Sequence, residues 1–211
     1  FEDAFWGASL NVIYPSAKTN GASAARTFTA TNANHFLELI SGTDNAGYAG
    51  TGLDVSMTGS RGVLLETVIR TPSAITTMKF EVGFNDSVSA NAGVINAKST
   101  PTALATDGVA LVFDTTDTAT GLSFVGVQSG AVAGTGDISG VTIEVSTTYR
   151  FAIRIEGTAA SAYLNGNWIA SLSSAVTAAT KLTPWVFVQA RTHAASRTLQ
   201  LHKWRISQPA Y

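Results

Sequence analysis

Three aspartates, Asp107, Asp114 and Asp117, gather around one apolar stretch, residues 108–115 (GVALVFDT). Beside them stand Thr115, Thr116 and Thr118 and carbonyl-rich turns, the hard oxygen donors of which calcium takes six to eight. No twelve-residue EF-hand spacing accompanies them. Asp114 and Asp117 can equally fix a β-turn by side-chain-to-backbone hydrogen bonds. Turn fixing is the simpler reading, so no cofactor is expected and calcium is the one candidate ion.

A second chemistry is glycan recognition, in which sugar C–H groups pack on an aromatic ring while hydroxyls find polar partners. Tyr48 lies in a Gly-rich loop with Asp44 and Asn45, and these three form the expected exposed site. Trp168 and Trp185 fall in alternating strands, where aromatic side chains fill the core, and both are expected there. Phe1, Phe5 and Trp6 make an acidic, aromatic N-terminus (FEDAFW). It is expected either as a terminal strand covering a sheet edge or as an arm binding a neighbouring subunit.

Other chemistries lack their residues. There are no cysteines, which removes disulfides and thiolate nucleophiles. No Gly-x-Ser-x-Gly elbow is present, and His35, His193 and His202 are too scattered for a zinc motif. Glu66, Glu81, Glu144 and Glu156 each stand alone in their strands. The formal net charge of -1, with 13% charged residues, argues against nucleic acid, which needs a concentrated basic face. No apolar run approaches the roughly 20 residues of a membrane helix. The chain opens on Phe1, so a processed or trimmed form is expected.

The elements that carry these residues read as strands. In residues 149–156, Tyr149, Phe151, Ile153 and Ile155 alternate with Arg150, Ala152, Arg154 and Glu156, the period of a half-buried strand. Residues 160–164 resume the alternation. Asn165-Gly166 then supplies the two positive φ angles of a type I′ hairpin turn, and residues 167–172 return. Further strands are expected at 26–30, 35–40, 62–70, 75–84, 108–115, 122–128, 182–191 and 197–206. Residues 42–52 and 130–140 are expected as loops, and 85–105 as an excursion off the sheets. About a dozen strands with turns every 8–12 residues define an all-β antiparallel β-sandwich. The 211 residues are expected to form one sandwich, with an N-terminal arm and first strands (1–61) joined to the main jelly roll (62–211).

The order "DGVALVFDTTD", "LSFVGVQSG", "STTYRFAIRIEG", "SAYLNGNWIASL" and "LTPWVFVQARTHAASRTLQLHKWRISQ" resembles the concanavalin A-like (laminin-G-like) jelly-roll domains of tailed-bacteriophage structural proteins. The resemblance covers residues 62–208. It implies a virion protein of the capsid-decoration, head-fibre or tail-associated type, assembled in the host cytoplasm and displayed on the virion surface. Its implied partners are further copies of itself and a capsid or tail protein, with no nucleic acid or membrane. Family 16 glycanases of the same superfamily resemble one another in a Glu-x-Asp-x-x-Glu strand, and this sequence has none. The chain is therefore read as non-enzymatic. The alternative is a carbohydrate-binding module or adhesin that uses loop aromatics to hold a cell-surface glycan.

Overall fold

The computed structural model describes residues 2–3, 17–30, 35–52, 56–86, 93–116, 121–191 and 195–208. Among them the strands are β1 (Glu2–Asp3), β2 (Ala17–Asn20), β3 (Ala25–Ala30), β4 (His35–Ile40), β5 (Tyr48–Gly52), β6 (Val63–Arg70), β7 (Met78–Asn85) and β8 (Gly108–Asp114). The remainder are β9 (Gly121–Gln128), β10 (Ala131–Thr142), β11 (Thr148–Glu156), β12 (Ala159–Leu164), β13 (Asn167–Leu172), β14 (Thr183–Ala190) and β15 (Thr198–Ser207). One 3-10 turn covers Gly59–Arg61.

Two antiparallel sheets result. The first runs β13-β12-β11-β6-β15-β4-β3, with β1 also paired to β15; the second runs β10-β9-β8-β7-β14-β5-β2. Strands from the first 61 residues enter both sheets, so that part of the chain completes the sandwich rather than standing apart from it. The all-β antiparallel sandwich expected from the alternation is the fold observed.

The inward faces meet in one core. Phe80 of β7 stacks on Phe113 of β8 at 5.2 Å and meets Phe151 of β11 edge-on at 6.1 Å, joining the two sheets. All three rings are fully buried, each contributing about 1.5–3 kcal/mol.

The closing strand β15 shows how local irregularity serves that core. Leu199 and Leu201 point inward, and so do Trp204 and Ile206, although strict alternation would put the two pairs on opposite faces. A register shift between Leu201 and Lys203 leaves His202 as an extra residue, a β-bulge that resets the alternation. The Thr67 hydroxyl, paired with the strand just past the bulge, donates to the Lys203 carbonyl at 2.9 Å.

Two expected loops are strands. Residues 48–52 of the Gly-rich segment form β5, wholly buried between β14 and β2. Glycine is required there, because a Cβ at Gly50 would overlap the Trp185 indole. Residues 131–142 form β10, an exposed edge strand of small residues whose turn side chains disguise its pairing with β9.

Candidate functional site

The outer faces of the two sheets are built oppositely. On the second sheet, the outward residues of β7 are Lys79, Glu81, Gly83 and Asn85, and all are buried. Residues 93–105 lie across them, adding Val94, Ile95 and Ala105 to a small apolar cluster with Ala110, Val112, Val125 and Val127. Charged groups stitch this cover down. Lys79 Nζ lies 2.6 Å from Glu81 Oε1 with both side chains fully buried. Lys79 also donates to the Ile95 carbonyl and sits 5.5 Å from the Phe187 ring centroid. The Glu81 carboxylate accepts from Val94 N at 2.5 Å and Ile95 N at 3.3 Å. Burial pulls the Lys79 ammonium below its ordinary value, against the opposing pull of Glu81.

The outer face of the first sheet is open. One row of directly paired residues crosses five strands: Trp168 (β13), Tyr163 (β12), Ala152 (β11), Glu66 (β6) and Arg205 (β15). At strand spacings of 4.7–4.9 Å the row is about 19 Å long. A parallel row, Arg150, Val68 and Lys203, runs beside it. Trp168 is 61% exposed. Next to it opens a cleft of about 280 Å³ lined by Leu64, Glu66, Arg150, Ala152, Arg154 and Tyr163. A smaller one of about 160 Å³ continues between Glu66, Arg150, Lys203 and Arg205.

Charge in this row is organised around Glu66. One carboxylate oxygen pairs with Arg150 and the other with Arg205 Nη1 at 3.2 Å. The Glu66 side chain is 14% exposed, while those of Arg150 and Arg205 are 55% and 53% exposed. Arg154 pairs with Glu156. At the far end of the sheet Arg70 helps line a polar cleft of about 420 Å³ with Glu38, Arg197 and Gln200. His202, tilted against Phe36 with ring centroids 5.2 Å apart, has its imidazole pKa lowered by burial and by the nearby Arg70 charge.

Trp168 reaches this face through a second irregularity. Tyr163 pairs with Trp168 but Ala162 pairs with Ala170, so Ile169 is the extra residue of a bulge. Ile169, Ala170 and Leu172 pack against the core, while Trp168 stays on the outer row. Asn165 and Gly166 hold the turn at φ of 52° and 86°, as the type I′ reading requires. The Asn165 side chain also accepts from Arg150 N at 2.9 Å, tying the turn to β11.

The expected site residues fare differently. Tyr48 is 7% exposed and packs on Phe187 at 5.5 Å, next to Trp185. It is a wall of the sandwich, so the expected Tyr48, Asp44 and Asn45 surface is corrected. Asn45 is exposed, and Asp44 Oδ2 accepts from Ala22 N at 2.6 Å to shape the loop. Trp168 is the converse correction, an expected core residue that lies outside. Trp185 is buried as expected.

Asp107 and Asp114 sit at opposite ends of β8, about 23 Å apart at 3.3 Å per residue, so they do not share a site. Asp107 accepts from Thr177 N at 2.5 Å. Asp114 accepts from Thr116 N at 3.0 Å, the turn-fixing role, and also from Lys98 N and from Arg191. Burial pushes the Asp114 carboxyl up, but Arg191 and these backbone donors outweigh it, leaving its pKa below the ordinary value. Among the described residues no cluster of three or more His, Asp or Glu side chains could hold a metal. Asp117, Phe1, Phe5 and Trp6 lie outside the described residues. Glu2 and Asp3 pair with β15 of the same chain, which fits the terminal-strand reading for those two.

Fold and face together define a jelly-roll β-sandwich with one open, aromatic-edged sheet. No family model and no curated protein sequence matches the chain. Solved structures do. A family 16 endo-glucanase from Bacteroides ovatus superposes at a TM-score of 0.66 with 8% identity, covering 98% of this chain and 99% of that one. A protein of unknown function from Shewanella oneidensis gives 0.64 with 14% identity, covering 100% and 88%. A family 66 carbohydrate-binding module from Bacillus subtilis gives 0.55 with 12% identity, covering 92% and 97%. These likenesses show the concanavalin A-like jelly-roll fold.

They also correct the non-enzymatic reading. That reading rested on a missing strand motif, and endo-glucanases are among the structures that share this fold over nearly the whole chain. None of the structures named above is described as a virion protein.

Proposed function

We propose that the protein recognises carbohydrate on the open face of its first sheet, with Trp168 and Tyr163 as the stacking surface. The observation that carries this reading is Trp168 itself, a large apolar ring 61% exposed and paired with Tyr163, which lines a mixed apolar and charged cleft. An indole left in water is an unfavourable arrangement for folding alone, and burying it under a sugar ring recovers the lost contact. Glu66 accepts in this row and Arg150 donates from the adjoining one, so hydroxyl groups of either sense find partners. A carbohydrate-binding module and glycan-degrading enzymes of the same fold support the class of ligand. The test is affinity electrophoresis through gels containing mixed-linkage β-glucan, xylan, dextran or polygalacturonate. Retardation in at least one gel, abolished by Trp168→Ala, is expected. Equal retardation of wild type and Trp168→Ala would overturn the reading.

A particle-assembly role, with display on a virion surface, is a second reading favoured by the edge strand β10. Its twelve residues are mostly small, exposed and paired on one side only, the arrangement that admits strand addition from another copy. Light scattering across a concentration series tests it. A shift to a defined oligomer that is lost on Thr135→Pro is expected, and a monomer at every concentration removes it.

A further inference from the structure

We infer that the glycan is an acidic one, carrying carboxylate or sulfate groups, and that Arg150, Lys203 and Arg205 select it. The inference rests on the carbohydrate reading and names the ligand class at the same face.

The argument begins from charge placement. The chain as a whole is slightly acidic, with a formal net charge of -1. Yet among the described strands, by register, the outward positions of the first sheet bring together Arg70, Arg150, Arg154, Lys203 and Arg205 against Glu2, Glu38, Glu66 and Glu156, an excess of one cation. The excess concentrates at the centre. Arg150 and Lys203 flank Val68 in one row, Arg205 faces Glu66 in the next, and Glu66 is the carboxylate both arginines use. Arg150, Lys203 and Arg205 thus stand around the largely buried Glu66, with Glu2 paired in register to Arg205, and the Arg150 and Arg205 side chains remain more than half exposed.

The geometry suits an oxyanion on a chain molecule. Arg150 and Arg205 stand on strands either side of β6, two strand spacings apart across the sheet and two residues apart along it, so their backbones are about 12 Å apart. Their forks already converge on the Glu66 carboxylate, the same planar group a uronate presents. The aromatic end of the row then packs one sugar ring while the cationic end meets the charge of a neighbouring ring. A face built only for neutral sugars has no use for that excess, since arginine and lysine in water are already well hydrated. Charge complementarity also favours capture at distance.

The experiment uses matched probes, binding measured by calorimetry on the full chain. Dextran and dextran sulfate share a backbone and differ in sulfate, while polygalacturonate and its methyl ester differ in free carboxylate. The expected result is at least about tenfold preference for one charged member over its uncharged partner, weakened about tenfold between low and high salt. Lys203→Gln with Arg205→Gln should erase the preference while keeping Trp168-dependent binding. Glu66→Gln should tighten binding to the charged probe severalfold, an outcome a merely structural role for Glu66 would not produce.

Which charged probe binds identifies carboxylate or sulfate. Equal binding of charged and uncharged members overturns the acidic class and leaves the carbohydrate reading standing. No binding to any of these four probes overturns the acidic class, and absence of retardation in the β-glucan and xylan gels as well overturns both. Duplex DNA binding as tightly as the charged glycan, untouched by Trp168→Ala, overturns the inference in favour of unspecific polyanion attraction.

Discussion

Trp168 stands directly opposite Tyr163 across the β12–β13 hairpin, and a one-residue bulge at Ile169 keeps its indole on the solvent face. Truncating it removes stacking area without opening the core. Trp168→Ala should weaken glycan binding at least tenfold, about 1.4 kcal/mol, while stability shifts by no more than about 0.5 kcal/mol. Calorimetric titration paired with thermal unfolding separates the two effects. A large drop in melting temperature would place the ring in the core's service instead.

The buried pair Lys79 and Glu81 makes a sharper stability prediction. Glu81→Leu strands an ammonium in an apolar site and removes the acceptor for Val94 N and Ile95 N. A loss of about 3–5 kcal/mol is expected. The double variant Lys79→Met with Glu81→Leu removes the stranded charge and should be markedly more stable than the single one. Urea unfolding of both reads the difference. If the double variant is no better, the charge is not what makes the single change costly.

Gly50 is held by Trp185. A methyl group at this position would collide with the indole ring carbons in fully buried β5. Gly50→Ala should destabilise by about 1–3 kcal/mol and red-shift the tryptophan emission as the ring is displaced. Unchanged stability would mean that the ring has room to move.

His202 and Asp114 fix the acid side of the stability curve. The His202 pKa is lowered from 6.5, first by burial and then by Arg70. The folded state therefore binds fewer protons than the unfolded chain just below that value. Stability should be complete above pH 6.5 and fall as the pH drops through the folded-state pKa of His202. The lowered Asp114 pKa adds a second loss, beginning below its ordinary 3.8. Arg70→Gln should move the His202 imidazole titration upward, visible in proton NMR spectra, and flatten the first loss. A titration unmoved by that change would leave burial as the sole cause.

Strands with one buried face were legible in the sequence because their alternation is the packing itself, as in β11 with Tyr149, Phe151, Ile153 and Ile155 inside. β5 was not legible, since YAGTG is covered on both faces and carries glycines where Trp185 needs room. β10 was hidden by turn-type residues that an exposed edge tolerates. The site failed for a related reason. Period-two reasoning assigns a face only while register is unbroken, and a bulge lies beside Trp168 and another at His202. Tyr48 shows the same limit from the other direction, its Gly-rich surroundings belonging to a strand rather than an open loop.

The cover that residues 93–105 lay over the second sheet gives the molecule a back and a front. A ligand of the open sheet must approach from the Trp168 side. A tether or surface that carries it can hold the sealed side without blocking access. Immobilised through the sealed side, the protein should retain its full binding capacity; immobilised through the open one, it should be blind.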